Sequence, residues 1–315
     1  MEDDADNKAG THERIFLILS TALRLFIYHL LTDLSSALMN KTQSKQLGFA
    51  VELAREAGEI MRNSVRKELK IEMKEDKTIV TDVDKRINSM VIEAIQKEYP
   101  RHNILAEEYS PKSKNSEYTW VCDPVDGTMV FSKGIPMSVF SIALVENSIS
   151  LIGVIYDPFH DKMFTGVYDN GARLNNDSIS VSSDYSLQGA VIGMAAWKST
   201  QRDIRRSYST FIDRGASVLM LGSIAQMGAL VASGELSASL HPARMPYDTA
   251  AAKVIVTEAG GRVTSLSGTS QSYDGPIEGA ILSNRLLHDK LVDVIRTISE
   301  PYHAYSEDST DELTS

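Results

Sequence analysis

The sequence predicts an α+β protein in two halves, antiparallel strands filling the first and strands alternating with helices filling the second. Two observations carry this. Four strand-like runs crowd between residues 118 and 168, and the last three are joined by connections too short for a crossover, so they read as a meander. Past about Leu187 the strands shorten and helical spacings appear between them.

Taken in order, Leu47, Ala50, Val51, Leu53, Ala54, Ala57, Ile60 and Met61 follow helical spacing and predict a first core helix from Ser44 to Lys67. Lys74 to Thr81 is polar, then β-branched, which suits a mobile hairpin or loop. A second helix opens at Thr81-Asp82-Val83-Asp84 and aligns Ile87, Met90, Val91 and Ala94. Within it Asp82 reads as a cap and Asp84 as a first-turn acid favoured by the helix dipole. The meander comprises Tyr118 to Cys122, Ser138 to Glu146, Ile149 to Asp157 and Lys162 to Tyr168, with Asn147-Ser148 and Asn175-Asn176 as turn signals. Ser223 is placed to cap a helix that Gly234 stops. Asp248 stands at the cap of another, which ends near Glu258 before Gly260-Gly261, and Leu286 to Ile298 gives the last helix its apolar stripe.

Composition excludes several classes. With 315 residues, 43% hydrophobic and 23% charged, the chain can bury a sizeable core in one large domain or two joined subdomains. A net charge of −10 argues against a nucleic-acid polymer as partner. The single Cys122 forms no internal disulfide and reads as a buried thiol in a reducing compartment, which supports a cytoplasmic enzyme. No Walker P-loop, nucleophile elbow or dinucleotide fingerprint is present.

The chemistry lies in Trp120-Val121-Cys122-Asp123-Pro124-Val125-Asp126-Gly127-Thr128. Pro124 stiffens a turn and Gly127 relaxes it, so the Asp123 and Asp126 carboxylates can converge on one point. Hard oxygen ligands suit Mg²⁺ rather than zinc. Glu107-Glu108 upstream and Asp248 downstream add further carboxylates. Such acids held together raise one another's pKa values unless a cation neutralises them.

In this order the segments resemble the inositol monophosphatase family, whose members show W-x-x-D-P-[IVL]-D-G-T, an earlier G-E-E and a later W-D-x-A-A-G with E-A-G-G. The resemblance spans about residues 44 to 298. It implies the layered αβαβα sandwich of the inositol monophosphatase and fructose bisphosphatase type, and a lithium-sensitive, Mg²⁺-dependent phosphomonoesterase with two or three metal ions per site. It further implies that Glu107, Asp123 and the Val125 carbonyl hold a first Mg²⁺ and that Asp123, Asp126 and Asp248 hold a second. Thr128 and Asp84 then orient the attacking water, Glu107 helps to deprotonate it, and the Gly127 and Thr128 N–H groups face the phosphate. The Lys74 to Thr81 segment supplies part of a third, weaker metal position. A homodimer acting on a small phosphomonoester completes the expectation, with Ser223, His241 and Asp248 around the substrate.

The chain departs from the pattern at four places. His241 stands where inositol phosphatases carry a Glu, turning an acceptor into a possible donor and favouring a more anionic substrate if protonated. Tyr247 replaces Trp, Ala106 replaces Gly, and Met129-Val130 replaces Thr-Asn. Histidinol phosphate, fructose bisphosphate and phosphoadenosine phosphate are therefore alternative substrates, and a catalytically weak metal-binding or assembly protein is the alternative of another class. Residues 1–43 read as an extension: Glu2, Asp3, Asp4 and Asp6 precede an apolar run from Ile15 to Leu31 that Arg24 and His29 interrupt, too broken for a membrane span and suited to an amphipathic helix. Met39 is a candidate native start. Residues 44–298 form the expected phosphatase domain, divided near residue 187, and 299–315 an acidic disordered tail.

Overall fold

The computed structural model describes residues 41–75, 77–196 and 203–298. The apolar run from Ile15 to Leu31, Met39 and the acidic tail lie outside the described residues. The first helix, α1 (Lys41–Ser64), buries Ala50, Leu53, Ala54, Ala57 and Met61 on the face its spacing predicts, but begins and ends three residues earlier than expected. A hairpin of β1 (Ile71–Met73) and β2 (Ile79–Thr81) follows. The next helix is α2 (Asp82–Glu98), and its cap is Thr81 rather than Asp82. Thr81 and Asp84 close a reciprocal capping box, while Asp82 accepts the Lys70 N–H at 3.2 Å.

A seven-stranded sheet runs in sequence order. It comprises β3 (Asn103–Ala106), β4 (Tyr118–Asp126), β5 (Val139–Glu146), β6 (Ile149–Asp157), β7 (Lys162–Val167), β8 (Ala172–Leu174) and β9 (Asp177–Ser178). The five pairings from β4 to β9 are antiparallel, as the short turns from β5 onward require, and positive φ at Asn147, Ser148, Asn175 and Asn176 confirms both turn signals. β3 pairs parallel with β4, an exception to the antiparallel half. The short helix α3 (Thr128–Ser132) leaves the end of β4.

The second sheet has five strands in the order β11-β10-β12-β14-β13, mixing parallel and antiparallel pairs. Its strands are β10 (Val191–Met194), β11 (Ser217–Leu219), β12 (Ala238–His241), β13 (Arg262–Thr264) and β14 (Ala280–Ser283). Four helices flank it: α4 (Ser207–Asp213), α5 (Ile224–Ala232), α6 (Ala250–Glu258) and α7 (His288–Ile298). One apolar core joins residues of β4 to β8 to α5, α6 and β14, and a second joins β10, β12 and β14 to α4 and α7. With α1 and α2 on the outer face of the larger sheet, the layers alternate helix and sheet in the αβαβα sequence expected.

The α6 packing depends on two glycines. Gly153 and Gly166 face each other across β6 and β7, and a Cβ on them would lie 2.4 Å from the Ala251 carbonyl oxygen and 2.7 Å from the Ile255 Cα. Backbone cannot yield as a flexible side chain can. Gly153→Ala is therefore expected to destabilise the protein by about 3 kcal/mol, lowering Tm by roughly 10 °C in thermal denaturation.

Candidate active site

Residues three apart on a regular strand point to opposite faces, so Asp123 and Asp126 need a device to meet. The β4 ladder provides one. Asp123 pairs with Ser141 but Asp126 with Val139, so three steps on β4 oppose two on β5, and the extra residue of this bulge returns both carboxylates to one side. It falls at Pro124-Val125, where proline has no N–H to donate, and the Val125 N–H turns to Asp123 Oδ1 at 3.0 Å. Gly127 then adopts φ +89°, and a Cβ there would fall 3.1 Å from both the Gly222 carbonyl oxygen and Ser223 Cβ.

That contact brings β4 against the start of α5. Asp126 accepts hydrogen bonds from the Ser223 hydroxyl, the Ile224 N–H at 3.2 Å and the Ala225 N–H at 2.6 Å. Ser223 caps α5 as its sequence position predicts, and the same hydroxyl anchors Asp126. Burial pushes the Asp126 pKa up to about 6, even though these donors pull it down. Asp248 arrives in a 3₁₀ turn, Pro246–Asp248, and the cap of α6 is Thr249. The cap position expected for Asp248 is therefore taken by Thr249, and Asp248 ends the turn before it.

Oxygens of Asp123, Asp126 and Asp248 lie within 4.8 Å of one another. Burial first, then the neighbouring carboxylates, raise the pKa of Asp123 and Asp248 well above the usual range. Glu107 follows β3, its N–H bonded to the Cys122 carbonyl at 3.1 Å, and its charge raises both of them. Asp84 is fully buried at the start of α2, where it accepts hydrogen bonds from the Thr81 hydroxyl and, at 3.0 Å, from the Thr128 hydroxyl. Thr128 Oγ also lies 3.1 Å from the Val125 carbonyl oxygen. Burial raises the Asp84 pKa above its ordinary value. An all-oxygen donor set of mutually repelling carboxylates suits a hard divalent cation.

His241 reaches Thr249, the residue after Asp248. It is buried with no exposed surface at the end of β12, with Nε2 3.1 Å from the Thr249 hydroxyl. Burial lowers its pKa to about 3, so it is neutral near pH 7 and cannot supply the positive charge that would favour a more anionic substrate. The resemblance puts the Lys74 to Thr81 segment at this site, but which groups Lys74 meets is visible only in the structure. Its Nζ lies 2.8 Å from Glu107 Oε1 and 2.7 Å from Glu108 Oε1. More than thirty residues separate the partners, and only the placement of the hairpin brings them together.

The sequence profile of the inositol monophosphatase family matches residues 42–300. The chain belongs to the inositol monophosphatase family. It is 32% identical over 266 residues to inositol monophosphatase 1 of Solanum lycopersicum, covering 82% of this chain and 97% of that protein. It is also 32% identical over 257 residues to a fructose-1,6-bisphosphatase/inositol-1-monophosphatase of Thermotoga maritima, covering 81% and 97%. The solved Thermotoga maritima IMPase superposes with TM-score 0.74 at 30% identity, over 80% of this chain and 97% of that one. As an inositol monophosphatase family member it is a phosphoric monoester hydrolase, and family enzymes of this kind depend on metal. Among the described residues no helix is long and apolar enough to cross a membrane.

The raised pKa values set a pH dependence. A carboxylate whose folded pKa exceeds its unfolded one binds more protons when folded, so its stabilising effect is present at low pH and is lost as pH rises through the folded value. For Asp126 that window runs from the ordinary carboxylate range to about 6. A bound cation removes the penalty. The rise in Tm on adding Mg²⁺ to chelator-treated protein is therefore expected to be larger at pH 7.5 than at pH 5, measured by differential scanning fluorimetry.

Proposed function

We propose that this family phosphatase hydrolyses a small phosphomonoester, most simply an inositol monophosphate-like one, in a Mg²⁺-dependent reaction. The observation that carries the reading is the convergence of Asp123, Asp126 and Asp248 beside the Thr128–Asp84 pair. Glu107, Asp123 and the Val125 carbonyl would hold one Mg²⁺, and Asp123, Asp126 and Asp248 a second. When bound, Mg²⁺ supplies positive charge that acidifies water and offsets the charge of the phosphate and the leaving alkoxide.

The chain's own groups do the rest. Thr128 Oγ accepts a proton from the attacking water while passing its own to Asp84 Oδ1, and the raised Asp84 pKa makes that carboxylate a better base. The Thr81 hydroxyl and N–H keep Asp84 aimed at Thr128. No protein nucleophile is needed, and burial pushes the Cys122 thiol too high to serve as one. N–H groups of Gly127 and Thr128 face the phosphate, and Ser223 acts on the site by holding Asp126.

A fructose bisphosphate is the main alternative substrate, since a neutral, buried His241 offers no carboxylate to ring hydroxyls and one relative's name includes that activity. Phosphate release from inositol phosphates, fructose bisphosphate, histidinol phosphate and phosphoadenosine phosphate, with Mg²⁺ and with chelator, tests both levels. Turnover that persists in chelator rejects metal dependence, and the substrate with the highest kcat/KM identifies the leaving group. The same reading includes a cytoplasmic homodimer, a phosphatase domain over residues 44–298 and lithium inhibition. Light scattering and a lithium titration check the dimer and the inhibition.

A further inference from the structure

Six carboxylates gather in and around the site: Asp84, Glu107, Glu108, Asp123, Asp126 and Asp248. Lys74 is the basic side chain paired with them. Its ammonium sits between Glu107 and Glu108 at 2.8 and 2.7 Å, with relative side-chain exposures of 21% for Lys74, 18% for Glu107 and 7% for Glu108. This is a sheltered, two-pronged pair rather than a solvated surface contact. Burial works against the charged ammonium, but the two glutamates outweigh it and raise the Lys74 pKa.

We propose that Lys74 is a tethered counter-cation for the acidic site, holding Glu107 and Glu108 until a divalent ion displaces it, so that metal binds in exchange for the chain's own ammonium. The inference rests on the reading of Glu107 as a metal ligand. A carboxylate oxygen already 2.8 Å from an ammonium cannot also take a divalent ion at coordination distance without setting two cations against each other. The ion wins because it carries twice the charge and also engages Asp123, which Lys74 does not. Part of the intrinsic affinity of the site is spent on releasing the ammonium. In its absence, Glu107 and Glu108 would repel at adjacent chain positions, so Lys74 also stabilises the metal-free fold.

Calorimetric titration of Mg²⁺ into chelator-stripped wild type, Lys74→Met, Lys74→Arg and Asp123→Asn tests this without any assay of turnover. Lys74→Met keeps the aliphatic stem and removes the charge, and is expected to bind Mg²⁺ about tenfold more tightly. Lys74→Arg, which keeps the charge, should stay near the wild-type affinity. Equal or weaker binding by Lys74→Met overturns the inference, while loss of binding in Asp123→Asn shows that the metal reading still stands. No Mg²⁺ binding by wild type overturns both.

Should Lys74→Met fail to fold, wild type alone decides the matter. Acetylation of Lys74 by an amine-reactive ester, read by mass spectrometry, is expected to rise several-fold when Mg²⁺ is added. Unchanged or lower labelling contradicts displacement.

Discussion

Asp123→Asn is expected to lower kcat/KM by about 10³-fold or more, a loss of roughly 4 kcal/mol of transition-state stabilisation, while the metal-free protein becomes more stable. The two effects have one cause. Asp123 is almost fully buried and faces the charges of Glu107, Asp126, Asp248 and Asp84, so an ionised carboxylate there is costly without a cation. An amide of the same shape removes that repulsion, and its oxygen can still accept the Val125 N–H. What it cannot do is bring a negative charge to the proposed bridging position between two metals. Phosphate release and thermal denaturation in chelator should therefore move in opposite directions, as expected where a site stores strain for function. A variant that loses both activity and metal-free stability would make Asp123 a structural residue instead.

Much of this arrangement is legible in the sequence because it is local. Asp123, Pro124, Val125, Asp126, Gly127 and Thr128 are contiguous, so one turn sets most of the site, and the meander that supports it follows from short connections. Helix ends were harder. The sequence offers three polar residues at the start of α2 and an acid before α6, and it does not say which one caps. Thr81 prevails over Asp82 because its hydroxyl can trade bonds with Asp84. Asp248 is displaced from its expected cap by the 3₁₀ turn that Pro246 begins.

The burial of His241 and the pairing of Lys74 with Glu107 and Glu108 were not legible, since each depends on how separate elements pack. His241 ends β12, and its neighbour Thr249 is eight residues away across a turn. The parallel pairing of β3 with β4 belongs with these, because a short strand separated from its partner by a polar loop carries no register signal.

Thr128→Val is expected to lower kcat by 10² to 10⁴-fold, about 3 to 5 kcal/mol, with KM and Mg²⁺ affinity little changed. Valine matches threonine in shape and removes only the hydroxyl through which water would reach Asp84. Asp84 keeps its bonds from Thr81, so the capping box survives and the fold should lose little. Thr128→Ser restores the hydroxyl and is expected to recover a large part of the rate, which a purely steric role would not require. The pH profile separates the remaining possibilities. Because the Asp84 pKa is raised, wild-type activity should fall on the acid side as that carboxylate takes up a proton and ceases to accept one from Thr128. In Thr128→Val the residual rate no longer passes through Asp84, so this acid limb should flatten. An acid limb identical in both proteins would assign it to the metal-binding carboxylates and remove Asp84 from the proton path.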